Sequence, residues 1–136
     1  MGIEENKQLA RRAVDELLNQ RKLDVIDEIF AEDCVDHQGA LGPAGDRESL
    51  KLYLRPVMDG FPGAHFEIIN LIAEGDMVLL HLEFSGTHSA EFVGVAASGK
   101  HVKNATMTVF RIGDGRIAER WGITDPAVVM QQITAA

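Results

Sequence analysis

The sequence predicts an α+β fold with a largely antiparallel sheet, on three observations. Apolar residues recur at helical spacing as far as Phe61, the period changes to two from Ala64 onward, and Asp125-Pro126 opens one more short helix near the end. Helices first and strands after is the order of an α+β domain, not of alternating βαβ units.

Taken in order, Ala10, Ala13, Val14, Leu17 and Leu18 share one helical face, with Arg11, Arg12, Asp15 and Glu16 opposite, which predicts an amphipathic first helix. Polar Asn19-Gln20-Arg21-Lys22 ends it. Asp24 stands as the N-cap of a short second helix carrying Val25, Ile26, Ile29 and Phe30. Asp33 to His37 reads as an irregular or short extended stretch, and Gly39, Gly42, Pro43 and Gly45 predict a loop. A third helix follows from Leu50, Tyr53, Leu54, Val57, Met58 and Phe61, with Asp46 or Ser49 near its start. Pro56 lacks an N–H and crowds the turn before it, so a kink or a later start is expected. Pro62-Gly63 closes this half.

Four strands are then predicted at 65–74, 77–88, 101–112 and 116–125. They are rich in Val, Ile, Thr and Phe and are separated by Glu74-Gly75-Asp76, a looser stretch around 89–100, and Gly113-Asp114-Gly115. Pro126 suits the first turn of a closing helix bearing Val128, Val129 and Ile133, with Asp125 as its N-cap.

The bulk properties exclude several classes of function. A length of 136 residues fits one domain spanning 1–136, and 46% hydrophobic with 25% charged residues is the composition of an ordinary globule. No apolar run approaches a membrane span, and acidic residues stand where a signal peptide would be basic, so a cytoplasmic location is expected. A net charge of −8 without clustered Lys and Arg argues against nucleic acid and anionic membrane as partners. The single cysteine, Cys34, cannot form an internal disulfide, and Asp33 and Asp36 beside it disfavour a reactive thiolate. No metal site is expected, because the five histidines show no H-x-x-x-H pair, and no phosphate loop or G-x-S-x-G motif is present. No cofactor is therefore expected.

Asp114-Gly115 is a two-residue hairpin signal that pairs Gly113 with Arg116. Run outward, that register sets Ile112 opposite Ile117, Phe110 opposite Glu119, Thr108 opposite Trp121, Thr106 opposite Ile123 and Asn104 opposite Asp125. All ten share one face, which is expected to meet the helices, while Lys103, Arg111, Arg120 and Thr124 take the other. A one-residue slip reverses the assignment, and a three-residue loop with a bulge at Gly115 is the competing reading. A carboxylate, a Trp and an Asn then converge on a pocket wall where apolar surroundings suit a proton shuttle. Asp125 is the foremost candidate, and two readings of it stand together, a helix cap and an acid/base. His37, beside Asp36 and close to the glycine-rich loop, is the histidine best placed for catalysis. Trp121, Asn104, Thr108, Phe110 and Tyr53 are the candidate substrate-binding residues.

Three stretches carry a resemblance. Gly86-Thr87-His88, Glu91 to Lys100, and above all Phe110 to Asp125, with its Gly-Arg-Ile-x-Glu-x-Trp-x-x-x-Asp pattern, resemble the SnoaL-like polyketide cyclases of the nuclear transport factor two-like superfamily. Leu23-Asp24 through Asp36-His37 is similar to that family's helix pair and Val-Asp-His segment, so the likeness covers nearly the whole chain. It implies a cone-shaped barrel, a curved sheet wrapped on helices around a pocket, usually as a dimer. It also implies that Asp125 occupies the position of the general acid/base in an intramolecular aldol closure. One departure is Ala96-Ala97-Ser98-Gly99, where the family often has Pro-Pro-Thr-Gly.

The expected function is cofactor-independent acid/base catalysis on a hydrophobic carbonyl compound, with Asp125 moving the proton and Asn104 or His37 stabilising the enolate. Rivals are a double-bond isomerase, an epoxide hydrolase and a non-catalytic binding protein for a hydrophobic small molecule. The epoxide hydrolase needs a second inward carboxylate with an arginine between the pair, and the register sets Glu119 and Arg111 on opposite faces. The expected partners are a small hydrophobic organic substrate and a second copy of the chain, which would cover the outer sheet face around Leu79, Met107 and Val109.

Overall fold

The computed structural model describes residues 2–38 and 45–135. Helix α1 spans Ile3–Arg12 and runs directly into a π-helical stretch, Ala13–Asn19, burying Ala10, Ala13, Val14 and Leu17 along the face that the apolar spacing marked out. Asn19 ends it by exchanging two hydrogen bonds with the backbone of Phe66, at 2.9 and 2.7 Å. Helix α2 is Val25–Ile29. Phe30, expected to close α2, instead opens a strand, β1, at Phe30–Gln38. The glycine-rich loop read from Gly39 to Gly45 lies outside the described residues except for Gly45, which bridges to Asp36.

Helix α3, Arg47–Gly60, is capped by Asp46, whose carboxylate accepts the Ser49 N–H at 2.8 Å. The helix does not start late. It runs from Arg47 with Pro56 inside it, held down by Leu50 and Leu54 in the core. The four predicted strands are β2 (His65–Glu74), β3 (Met77–Thr87), β4 (His101–Gly113) and β5 (Arg116–Ile123), followed by α4 (Pro126–Thr134).

The sheet order is β1-β5-β4-β3-β2, with β1 parallel to β5 and every other neighbour antiparallel. It is an α+β architecture with an open sheet of five strands, so the barrel of the sequence reading is not closed among the described residues. The N-terminal helices pack on one sheet face around Ile26, Ile29, Leu80, Phe110 and Ile117. Helix α4 closes one end, where Val129 and Ile133 join Phe61, Phe84, Phe92 and Val102, and Gln132 hydrogen-bonds both backbone groups of Lys103.

The hairpin between β4 and β5 holds the key correction. Gly113 pairs with Arg116 and Ile112 with Ile117, and Asp114 and Gly115 take positive φ of 51° and 78°, as a two-residue type I′ turn requires. A bulge then intervenes. Arg111 pairs with Glu119 and Phe110 with Arg120, leaving Ala118 as the extra residue. One added residue in a strand of period two exchanges the faces of all that follows it. Glu119 and Trp121 therefore turn outward, and Arg120, Gly122 and Thr124 turn inward, with Ile123 exposed but still bordering the cavity, whereas the β4 residues Asn104, Thr106, Thr108 and Phe110 keep the inward face expected of them.

Candidate active site

Between α3, the sheet and α4 lies a cavity of about 120 Å³. Its wall is mostly apolar, from Phe61, Phe66, Leu82, Phe84, Phe92 and Val129, and its polar groups come from Tyr53, Asn104, Thr106, Thr108, Arg120 and Thr124. Asn104 donates to the Thr124 hydroxyl at 3.0 Å across β4 and β5. A concave apolar wall with a few convergent polar groups is the usual form of a small-molecule site.

One lining residue, Arg120, is held by an ion pair. Arg120 Nη1 donates to both carboxylate oxygens of Asp36, at 3.0 and 3.2 Å, with side-chain exposures of 14% and 2%. Strand β1 places Asp36 there because it lies parallel to β5, pairing Asp36 with Arg120 in register. The guanidinium carbon stands 5.9 Å from the centroid of the Tyr53 ring, within the range of a cation–π contact. Gly122 completes the seat, since a Cβ there would come 2.6 Å from Arg120 Nη2. A carboxylate this deep is tolerated because its partner is a guanidinium that is itself mostly buried.

The predicted site residues divide into two groups. Tyr53, Asn104 and Thr108 line the cavity, and Phe110 lies beyond it in the adjoining core, edge-on to Phe30 at 6.0 Å. His37 and Trp121 are not among the lining residues. They stack on each other on the outer side with ring centroids 4.6 Å apart and 7° between planes. His37 Nε2 lies 2.9 Å from Glu119 Oε1, and Arg111 Nε donates to the other oxygen of Glu119. Arg111 first, and His37 second, hold the Glu119 carboxyl below its ordinary range. Arg111 and Glu119 thus share one face, contrary to the expected register, but it is the outer face. The inward arginine–carboxylate pair is Arg120 with Asp36; Arg120 lines the cavity, and among the described residues no carboxylate does.

Asp125, expected on the pocket wall opposite Asn104, is exposed and not among the lining residues; its neighbour Thr124 lines the cavity and meets Asn104 instead. Asp125 Oδ1 accepts the Ala127 N–H at 3.0 Å, which is the N-cap of α4. Cys34 is buried, and that burial raises its thiol pKa above the ordinary value. His88 is fully buried. Its Nδ1 accepts the Ser98 N–H at 3.1 Å and meets the Ser98 hydroxyl at 2.9 Å, so the serine in the departing Ala96-Ala97-Ser98-Gly99 segment anchors the loop.

Sequence reasoning missed Asp36 and Arg120 as site residues. Nothing in Arg116 to Gly122 marks Ala118 as a bulge, and without it Arg120 falls on the wrong face. Among the described residues no three His, Cys, Asp or Glu side chains come together to hold a metal. None of their helices is long and apolar enough to cross a membrane.

The model of the SnoaL-like polyketide cyclase family matches residues 8–133. The chain belongs to that family. No curated protein matches the sequence. Among solved structures, the protein named "Putative SnoaL-like polyketide cyclase" from Jannaschia Sp. CCS1 is 26% identical, with a TM-score of 0.87 over 100% of this chain and 96% of its own. IdmH of Streptomyces antibioticus, named "a putative polyketide cyclase", is 26% identical with a TM-score of 0.83, covering 94% of this chain and 97% of its own. AclR of Streptomyces galilaeus, named "a putative hydroxylase", shares the fold at 24% identity and a TM-score of 0.87, covering 99% and 84%. Differing activities in those names on one shared backbone leave the reaction to be argued from the site.

Proposed function

We propose that this SnoaL-like chain is a cofactor-independent acid/base enzyme that acts on a hydrophobic carbonyl compound, closing a ring by an intramolecular aldol-type reaction. The observation that carries the reading is Arg120, which lines a mostly apolar cavity and is paired with the buried Asp36 carboxylate. A guanidinium held in place by a buried carboxylate is a pre-organised partner for the oxygen on which negative charge develops, and it needs no reorganisation as the charge appears. Asp125, one residue past Thr124, takes the proton from the carbon α to the substrate carbonyl. The C–H electron pair becomes the enolate, whose oxygen lies against Arg120. The enolate carbon then attacks a second carbonyl of the same molecule, forming the new C–C bond, and Asp125 returns its proton to the resulting alkoxide. Asn104 and Thr108 orient the two oxygens. The cap on Ala127 leaves the second carboxylate oxygen of Asp125 for this exchange.

A second reading, a binding protein for the same class of molecule, draws on one observation: Asp125 is exposed and already caps α4. Exchange of α-protons separates the two. In D₂O, wild-type protein with a phenyl alkyl ketone or a β-keto ester is expected to accelerate deuterium uptake at the α-carbon, followed by NMR. Asp125→Asn keeps the cap and is expected to slow uptake by about a hundredfold or more, with little change in melting temperature. Saturable binding without exchange above buffer would select the binding protein, and an unslowed Asn variant would remove Asp125 from the mechanism.

A further inference from the structure

Behind the main cavity lies a smaller one of about 50 Å³, bounded on its far side by Ala13, Val14, Leu17, Phe30, Leu80 and Phe110. The two are not separate. Leu18, Leu54, Leu82, Thr108 and Arg120 line both, so among the described residues the only polar side chains on the inner wall stand at the waist between the chambers. A chamber lined this way stays dry, and its walls forgo dispersion contacts until an apolar group fills it.

We infer that the two chambers form one ligand site, and that the ligand is an elongated carbonyl compound with its oxygen at the waist. A short unbranched apolar arm then enters the inner chamber, while the larger body stays in the outer one. The inference rests on the carbonyl-compound reading above and adds the shape of the molecule. A carbonyl oxygen is the part of such a ligand that gains from lying against the Arg120 guanidinium and the Thr108 hydroxyl. Size sets the arm. With about 10–15 Å³ needed for each water-sized body, 50 Å³ holds about three to five of them, the bulk of a propyl to pentyl chain. By the same measure the outer chamber encloses about eight to twelve atoms, enough for one substituted ring. Val14 and Leu17 bound the arm, and they come from the π-helical stretch that continues α1.

The test is a homologous series of phenyl alkyl ketones, from acetophenone through butyrophenone and hexanophenone to decanophenone, titrated calorimetrically into the intact chain. Affinity is expected to rise about fourfold for each methylene added as far as hexanophenone and then to level off. Leu17→Ala, which lengthens the inner chamber, is expected to move the break to longer chains, and Val14→Leu to move it to shorter ones. Equal affinity from acetophenone to hexanophenone would overturn the inference alone. So would a steady rise through decanophenone with no break in wild type or either variant, since that pattern reports ketone solubility. If no ketone in the series binds, the inference and the carbonyl reading fall together.

Discussion

Arg120 owes its position to a side chain that is absent. It reaches the Asp36 carboxylate by folding back over Gly122, where a methyl group would meet Nη2 at 2.6 Å and the guanidinium carbon at 2.9 Å. What a Cβ would strike is the far end of a flexible side chain, so Gly122→Ala is expected to fold. The guanidinium would have to swing away, however, leaving a buried carboxylate short of charged hydrogen bonds. The expected loss is about 1–3 kcal/mol in urea denaturation, the scale of a displaced charged hydrogen bond. Ketone affinity should fall with it. Gly113→Ala is the control, because its nearest non-neighbouring atoms lie 3.5 and 3.6 Å away, at ordinary contact distance, and stability there should hardly change. Equal losses in the two variants would show that Gly122 acts through backbone freedom and not through Arg120.

On the outer side, three strands are tied by their side chains. Glu119 of β5 is gripped by Arg111 of β4 and by His37 of β1, whose ring lies on Trp121. A carboxyl whose folded-state pKa is depressed stabilises the fold above its unfolded value of about 4.3 and loses that contribution as pH falls through the folded value. Thermal melts of wild type and Glu119→Gln should therefore differ near neutral pH and converge below about pH 4. A gap that stays constant down to pH 3 would mean that the contact acts by packing alone. The same strands mark how far the sequence could be read. Period-two runs and the Asp114-Gly115 turn located β2 to β5 within two residues at each end, because antiparallel neighbours leave local signals in their turns. Strand β1 left none. Its partner is parallel and more than eighty residues away, and Asp33, Cys34, Asp36 and His37 alternate between core and surface without a clean apolar stripe. The inward residues of β4 were legible for the same local reason, so Asn104 and Thr108 came out on the cavity wall, and Tyr53 did so from the helical spacing of α3. The residues of β5 were not, since Ala118 carries no feature that distinguishes a bulged residue from a paired one.

For the molecule as a whole, the outer sheet face stands open. Ile72, Leu79, Val109 and Trp121 are consecutive cross-strand partners in one row, and Met107 pairs with Ile123 beside them. Ile72 and Ile123 are 61% and 66% exposed. An apolar stripe of this kind is a surface that closed, two-fold assembly covers with a second copy of itself. A homodimer through this face is the proposal, and light scattering at micromolar concentration should return twice 14.9 kDa. A mass of one chain would refute it, and Val109→Lys should give that mass if the face is right. The strand order has another effect, on how the chain matures during synthesis. Asp36 and Arg120 are 84 positions apart, and the first strand made is the last to be paired. At about 5–20 residues per second, a ribosome needs about 4–17 s to add the arginine once the aspartate has been made. Throughout that interval β1 is an unpaired strand carrying a hydrated carboxylate, beside a sheet that holds at most β2, β3 and β4. The final hairpin thus closes the sheet and the binding site in one event, so a nascent chain stalled before β5 should hold neither.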